Sequence, residues 1–455
     1  MGRTASNAPG YVPGSDDLFD PLLDDFVAKQ RNYTHFDYAL SKDKRETFEI
    51  TDEQIGTHSF WPLLGFSKKE RRTKKDKQGS LVISHKTREI KFGSHTDAAV
   101  LQWHTACLSQ HYEKAICLYG INDCVLAYRS GMGDNITQAR DFFNEIKSIG
   151  DCTAIALDIS GFFDNIDHEM LLQNLKTIVD VERLPNAHFK IFERMTKFEY
   201  VDADVLQARL KRIRAPKGRL CTPLQFRNIV RRAGNSLIKT NTECFGIPQG
   251  TPLSGLYANI SMFAFDRKLS RYVGKKGGIY RRYSDDIALV IPASINVSTV
   301  LRYIKSEIRK SKLRINSKKT EISKFHLSGH SVQCDQSFQY LGFTFDGSKT
   351  LIRSSSLARY YTKMRRGIRA KILAAFKKGI PREEIFMREL FRRYTHFGRV
   401  RNFPRYAYRA AKVFQANEIK KQIRPHMSQF KKFVKEEIDT LYELGITPTA
   451  AIPPK

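Results

Sequence analysis

The chain has 455 residues, 41% hydrophobic and 11% aromatic, which excludes a disordered polypeptide and allows roughly two to four domains. Lys and Arg number 77 against 47 Asp and Glu, a net charge of +30 that calls for a polyanionic partner, most commonly nucleic acid. The seven cysteines form no C-x-x-C pair and no run of about 18 apolar residues occurs, so a disulfide scaffold, a zinc knuckle and a membrane span are not expected and a reduced, cytoplasmic protein is.

Residues 1–15 read as a flexible arm. The stretch DDLFDPLLDDF at 16–26 reads as a short acidic amphipathic helix, able to pack on a basic surface of this chain or of a second copy, which makes a homo-oligomer conceivable. KKERRTKKDKQG at 68–79 is a basic run, either a solvated loop or a finger touching nucleic acid, and SLVISHKTREIKFG at 80–93 reads as a hairpin with a polar turn. A buried helix is predicted over 97–116. From 150 to 345 strand-like runs alternate with helices: a buried strand at 152–160, a helix at 167–179 capped by Asp167, one long Ser-capped helix at 254–273, an amphipathic helix at 297–313, and a hairpin at 338–347 with an Asp-Gly turn. Beyond about 352 the pattern is helical, and residues 351–455 hold 25 basic and 8 acidic residues, more than half of the net excess.

The strand AIALDIS delivers Asp158 to its end, and Asp285-Asp286 sits in a tight turn between IYRRY and IALVI. Like charges this close repel, and enclosing them is costly unless a cation lies between them. Two strands bringing acids to one point make a site for divalent ions, Mg²⁺ above all, with Mn²⁺ as substitute. Asp-rich hairpin turns also occur simply because Asp forms turns. GIPQGTPLSG at 246–255 is a Gly/Pro-marked loop entering a helix, whose glycines permit close backbone approach and whose free N–H groups suit a phosphate or a template strand.

Together these runs resemble the reverse transcriptase family. Asp158-Ile-Ser-Gly-Phe-Phe163 is similar to the palm motif carrying the first metal-binding aspartate. Gly246-Ile-Pro248-Gln249-Gly250 is similar to the template- and nucleotide-positioning loop, and Tyr283-Ser-Asp285-Asp286 to the aromatic-x-Asp-Asp turn. Ile315-Asn-Ser-Lys-Lys319 resembles the downstream lysine motif, and Tyr340-Leu341-Gly342-Phe343 the primer-grip hairpin. The resemblance implies a right-hand polymerase of the α/β (α+β) class. Its parts would be an N-terminal extension (1–67), fingers (68–150), a palm with an antiparallel sheet (151–345, insertion at about 180–240) and a basic helical thumb (346–455).

By the same resemblance Asp158, Asp285 and Asp286 are catalytic carboxylates, and with the Ile159 carbonyl they hold two Mg²⁺ ions. Phe163 packs under the incoming sugar and disfavours a 2′-OH, with ordinary core packing as the alternative reading. Gln249 touches the nucleotide, Arg88 (or Lys86) holds the triphosphate, and Arg129 touches template or nucleotide. Lys319 is a proton donor to pyrophosphate or else a solvated lysine. Gly246, Pro248, Gly250, Leu341, Gly342 and the thumb pair Arg365 and Arg366 meet nucleic acid. No spare acidic constellation for RNase H and no Cys/His cluster for an HNH nuclease occur, which weighs against retroviral enzymes and full group II intron proteins. By motif order and FFDNIDH the chain resembles bacterial retron and group II-like enzymes, and by RRYTHFGRVRNFPRYAYRAAKVF at 392–414 and the long segment at about 180–240 it most resembles those of antiphage defence. Such enzymes imply dNTPs, a structured non-coding RNA and nascent cDNA as partners. A template-independent or protein-primed polymerase, for which the 19 tyrosines leave room, and an RNA-binding maturase are the alternatives. An RNA-synthesising polymerase would favour a smaller or polar residue at Phe163.

Overall fold

The computed structural model describes residues 26–75, 80–211, 216–329, 331–381, 384–385, 387–397 and 402–443. The arm at 1–15, the acidic segment at 16–26 apart from Phe26, and the end of the basic run at 76–79 lie outside the described residues.

Two short helices, α1 (Lys42–Glu46) and α2 (Asp52–Thr57), precede a long antiparallel pair, β1 (Leu63–Lys75) and β2 (Leu81–Phe92). This corrects the expectation of a basic loop followed by a separate hairpin: most of the basic run is itself strand, and 80–93 contributes one continuous strand. Polar side chains matched across the pair satisfy one another, Arg88 with Glu70 at 3.0 Å and Ser67 with Glu89 at 2.6 Å. Such cross-strand pairs hold a sheet without an apolar alternation that could be read in advance. Helices α3 (His95–Leu118), α4 (Asn135–Ile149), α5 (His168–Val179) and α6 (Asn186–Thr196) surround β3 (Cys152–Asp158). Strands β4 (Glu199–Asp202) and β5 (Lys239–Thr240), with α7 (Ala203–Leu210) and α8 (Pro223–Gln225) between them, extend the first sheet in the order β2-β1-β4-β5. Its small core contains Phe36, Leu64, Val201, Leu206 and Phe226. The segment expected as a finger/palm insertion thus supplies two strands to the sheet of β1 and β2.

Helices α9 (Ser254–Ser261) and α10 (Phe263–Gly274) lead to β6 (Ile279–Tyr283), β7 (Asp286–Pro292), α11 (Val297–Lys310), β8 (Glu321–Ser328) and β9 (Ser331–Cys334). The expected single helix over 254–273 is divided at Met262, and Ser254 is not its cap: its hydroxyl donates to the Pro248 carbonyl at 2.5 Å. The central sheet has the order β6-β7-β3-β8-β9 and is antiparallel throughout. Its first four strands and crossover helices follow the split β-α-β topology of the ferredoxin-like motif. Period-two alternation divides the sheet's residues between two cores. Ile155, Leu157, Ile287, Leu289 and Ile291 pack with α3, α5, α9, α10 and α11. Ala154, Ala288 and Val290 face α4, the small sheet β10 (Phe338–Tyr340), β11 (Phe343–Phe345) and β12 (Thr350–Ile352), and the thumb. The thumb comprises α12 (Ser354–Phe376), α13 (Arg388–Tyr394), α14 (Phe403–Val413), α15 (Asn417–Ile423) and α16 (His426–Glu443). On α12 the residues Tyr360, Met364, Ile368 and Ile372 recur every fourth position and are buried. Together these layers form the right-hand polymerase architecture. No described helix is long and apolar enough to cross a membrane.

Burial also sets a pH limit. His188 on α6 lies 3.0 Å from His104 on α3, and burial lowers its pKa to about 4; His35 is lowered to about 4 by burial as well, against the opposing pull of Asp37. Both are neutral when folded at a pH where the unfolded chain already binds protons, so stability falls as pH drops from about 6.5 to about 4. The loss should approach roughly 3 kcal/mol per histidine at most. Urea unfolding across that range should show it, and His188→Gln should flatten the slope.

Candidate active site

In the β3–β7 register Asp158 lies opposite Asp286, and in the β6–β7 register Tyr283 does. Directly opposed residues share a face with Cβ atoms about 4.5–5.5 Å apart. Tyr283, Asp286 and Asp158 therefore form one row at the end of the sheet, on the face of Ala154 and Ala288. Ser284 and Asp285 make the turn from β6 to β7. The Asp285 carbonyl accepts the Ile159 N–H at 3.0 Å, which ties that turn to the end of β3. N–H and C=O of one strand residue point to the same side, so the Ile159 carbonyl also faces the turn. The lysine loop is anchored to the same strand end: Asn316 N–H donates to the Asp158 carbonyl (2.8 Å), Ser160 N–H to the Arg314 carbonyl (2.9 Å), and the Lys319 ammonium hydrogen-bonds the Asp158 carboxylate.

The Asp286 side chain opens to the cleft yet is walled in by protein. Enclosure, then Asp285 and Asp158 beside it, push its carboxyl up to about 7. Asp285 is raised by enclosure and by Asp158, against Lys86 and Lys319. Acids that hold protons this readily favour added positive charge. Three hard carboxylates and a carbonyl make a donor set that fits Mg²⁺ or Mn²⁺, with Asp158, Asp285, Asp286 and Ile159 as the groups that would hold it. Among the described residues, however, no three acidic, His or Cys side chains converge on one ion position.

The turn is fixed from beneath. Arg282 and Asp266 are fully buried and pair bidentately, Nε to Oδ1 at 2.8 Å and Nη2 to Oδ2 at 2.6 Å. Tyr280 donates to Asp266 (2.6 Å), and Arg282 Nη1 donates to Asn259 Oδ1 (3.2 Å) and to the Ser284 carbonyl (3.1 Å). Ser284 has φ +60°, a left-handed conformation that costs about 1–2 kcal/mol outside glycine. Its hydroxyl also lies 3.3 Å from the Tyr128 hydroxyl. The part of Ser284 is thus conformational, which its sequence context leaves open.

The Gly246–Gly250 loop is held between palm and fingers. Gly246 N–H donates to Ile166 O (2.8 Å), Ile247 N–H to Phe163 O (2.9 Å), and Lys91 N–H of β2 to Gln249 O (2.8 Å). A Cβ at Gly250, φ +129°, would stand 2.8 Å from the Lys91 carbonyl, and one at Gly246, φ +87°, 3.1 Å from that of Asp164. The close approach made by these glycines is to protein backbone, where a template strand was expected. Pro248 is buried, its carbonyl bound by Ser254, and Gln249 is half-buried. Phe163 is half-buried and edge-on to Phe162 at 5.6 Å. Leu341 (φ +45°) and Gly342 (φ +93°) form the turn of the β10–β11 hairpin, secured by Asn135 and Arg353.

The basic assignments fare unevenly. Arg88 is committed to Glu70, whereas the charge of Lys86 reaches Asp285. Arg129 is corrected: its guanidinium is buried and every N–H is used on Glu113, Asn122 and Val125, so it braces the chain and has no donor for a nucleotide. Arg365 is corrected too, being held by Glu437 (2.9 Å) and Glu436 (3.2 Å) of α16. Arg366 is exposed. A cavity of about 740 Å³ in the thumb is lined by Arg359, Lys363 and Arg392, with Tyr360, Tyr394 and the ion pair of Arg393 with Glu389 at 2.9 Å. Arg359 is close enough to act on Glu70 of β1, so this basic wall faces the fingers hairpin.

Asp266→Asn should leave a buried guanidinium without its counter-charge and destabilise the protein by about 3–5 kcal/mol in urea unfolding. An exposed control such as Asp141→Asn should change stability by less than about 0.5 kcal/mol.

Residues 121–345, just under half of the chain, match the family described as reverse transcriptase (RNA-dependent DNA polymerase). Over 90 residues the chain is 39% identical to the retron Ec86 reverse transcriptase of Escherichia coli, an alignment covering 19% of this chain and 28% of that relative. Among solved structures it is similar to the apo telomerase of Candida tropicalis truncated from its C-terminal domain (TM-score 0.41, 10% identity, 63% of this chain and 55% of that one). It is also similar to the telomerase of Candida albicans in complex with a fragment of telomeric RNA (TM-score 0.39, 12% identity, 86% and 64%). The chain thus spans less than two thirds of each of these relatives. With the aspartate row, the lysine loop and the family match falling on the same segment, residues 121–345 form a reverse transcriptase domain.

Proposed function

We propose that this protein is an RNA-directed DNA polymerase that extends a primer with dNTPs on a non-coding RNA template. The observation that carries the proposal is the Asp158–Asp286 pair facing across β3 and β7 with Asp285 in the adjoining turn. Bound Mg²⁺ supplies charge neutralisation and a lowered pKa for the attacking hydroxyl, in a two-metal scheme. The chain's own groups do the rest. Asp158, Asp285 and Asp286 carry the negative charge, and Lys319, already in contact with Asp158, is placed to give a proton to the departing pyrophosphate. Phe163 at the edge of the cleft reads the sugar, and Lys86 lends positive charge on the triphosphate side, with Arg88 behind it. Template–product hybrid lies along the thumb wall of Arg359, Lys363, Arg392 and Arg393, where cations and aromatic rings suit phosphates and stacking. The similarity to defence-associated enzymes makes antiphage activity the cellular role we propose.

Purified protein with its co-purifying RNA, Mg²⁺ and dNTPs should make DNA, and Asp285→Asn with Asp286→Asn should reduce synthesis to background while leaving RNA binding in place. Retained synthesis would overturn the carboxylate assignment. Synthesis that survives complete removal of RNA would replace templated by untemplated polymerisation. Phe163→Ala should raise the use of rNTPs relative to dNTPs by about 10-fold or more, a difference of about 1.4 kcal/mol between competing substrates; unchanged selectivity would return Phe163 to core packing. Cells carrying the aspartate variants should lose protection in a plaque assay.

A further inference from the structure

Helix α11 turns Val300, Ile304 and Ile308 into the core beneath the palm sheet, on the face opposite the aspartate row. Its outer side carries Ser298, Arg302, Lys305 and Arg309, all exposed. Spacings of four, three and four residues put them in one stripe along the helix. Two adjoining cavities of about 820 and 620 Å³ share Lys305 and Arg309. The second continues past Lys312 to Arg314, whose carbonyl accepts the Ser160 N–H beside Asp158. They make one groove from the outer face of the palm to the rim of the cleft, and no carboxylate is among the described residues lining it.

The neighbouring cations are treated differently. Lys310 and Lys268 pair with Glu307, and Lys312 with Asp167. Among the described residues Arg302, Lys305 and Arg309 have no carboxylate within ion-pair distance. Three such charges along one line of a helix raise the chain's self-repulsion with no return inside the fold. From Arg302 to Arg309 the stripe runs about 10 Å at 1.5 Å per residue, long enough for its cations to meet successive phosphates of one strand.

We infer that this groove binds the phosphate backbone of RNA outside the polymerase cleft, holding a segment of the template molecule while synthesis proceeds on the other face. The partner rests on the RNA-templated reading. Binding itself does not need DNA synthesis, so the two can fail separately.

The test compares the full-length protein with Arg302→Glu/Lys305→Glu/Arg309→Glu and with the milder Arg302→Ser/Lys305→Ser/Arg309→Ser, which guards against misfolding. Binding of a fluorescein-labelled stem-loop RNA is followed by anisotropy between about 50 and about 200 mM KCl, with a short primer–template hybrid in excess to occupy the cleft. Both variants should bind the RNA at least about 10-fold more weakly and with a log–log salt slope shallower by about 2, as expected for three lost contacts to a single strand. Extension of the short hybrid alone should be unchanged. Unchanged RNA affinity and salt slope in both variants would overturn the inference. Equal loss of hybrid extension would assign the stripe to the cleft and overturn it as well. An equal loss of binding to duplex DNA of the same length would overturn the assignment to RNA.

Discussion

The buried pair of Arg282 and Asp266 is the constraint on which the site depends. Two charges removed from water are costly, and the cost is offset only where geometry is good and the remaining donors are occupied. Here Tyr280, Asn259 and the Ser284 carbonyl complete the network. The result joins β6, α9, α10 and the aspartate turn in one unit. Asn259 in turn donates to Ala127 O, and Arg282 N–H to Cys124 O, so the segment before α4 is fixed to the same strand. The pair therefore holds a non-glycine residue in a left-handed turn and keeps Asp285 and Asp286 beside Asp158 despite their repulsion.

A second consequence concerns the junction of fingers and palm. The Gly246–Gly250 loop shares hydrogen bonds with the Phe163 turn on one side and β2 on the other. Because glycines let the backbones touch, a displacement of β2 would be transmitted to the loop and from it to Phe163. The residues that read as nucleotide contacts are thus also the mechanical link between the strand bearing Lys86 and the floor of the cleft.

The positive charge divides into kinds that composition does not distinguish. Arg129, Arg282 and Arg365 are used within the fold. Arg359, Lys363 and Arg392 line a cavity facing the fingers, beside the Arg393–Glu389 pair, and Arg302, Lys305 and Arg309 line a groove on the opposite side of the palm. A net charge of +30 is consistent with all three uses.

The aspartate turn, the strand ending in Asp158 and the helical thumb were legible in the sequence, because each is a local pattern: apolar runs closed by acids, a period near 3.6. The hairpin at 338–347 was legible too, but its turn is Leu341-Gly342 and not the expected Asp346-Gly347, which follows β11. The division of cations was not legible. Whether an arginine meets a phosphate or a glutamate is decided by partners far away in the chain, such as Glu437 for Arg365 and Glu113 for Arg129. The β1–β2 pair was missed for the same reason: its stabilising contacts are cross-strand polar pairs, and its length is set by register rather than by alternation. By itself the sequence determined the order of the reverse-transcriptase-like motifs and the residue types they carry. Only the tertiary structure decided which charges remain free to bind, since ion pairing depends on distances of a few ångströms that sequence separation does not encode.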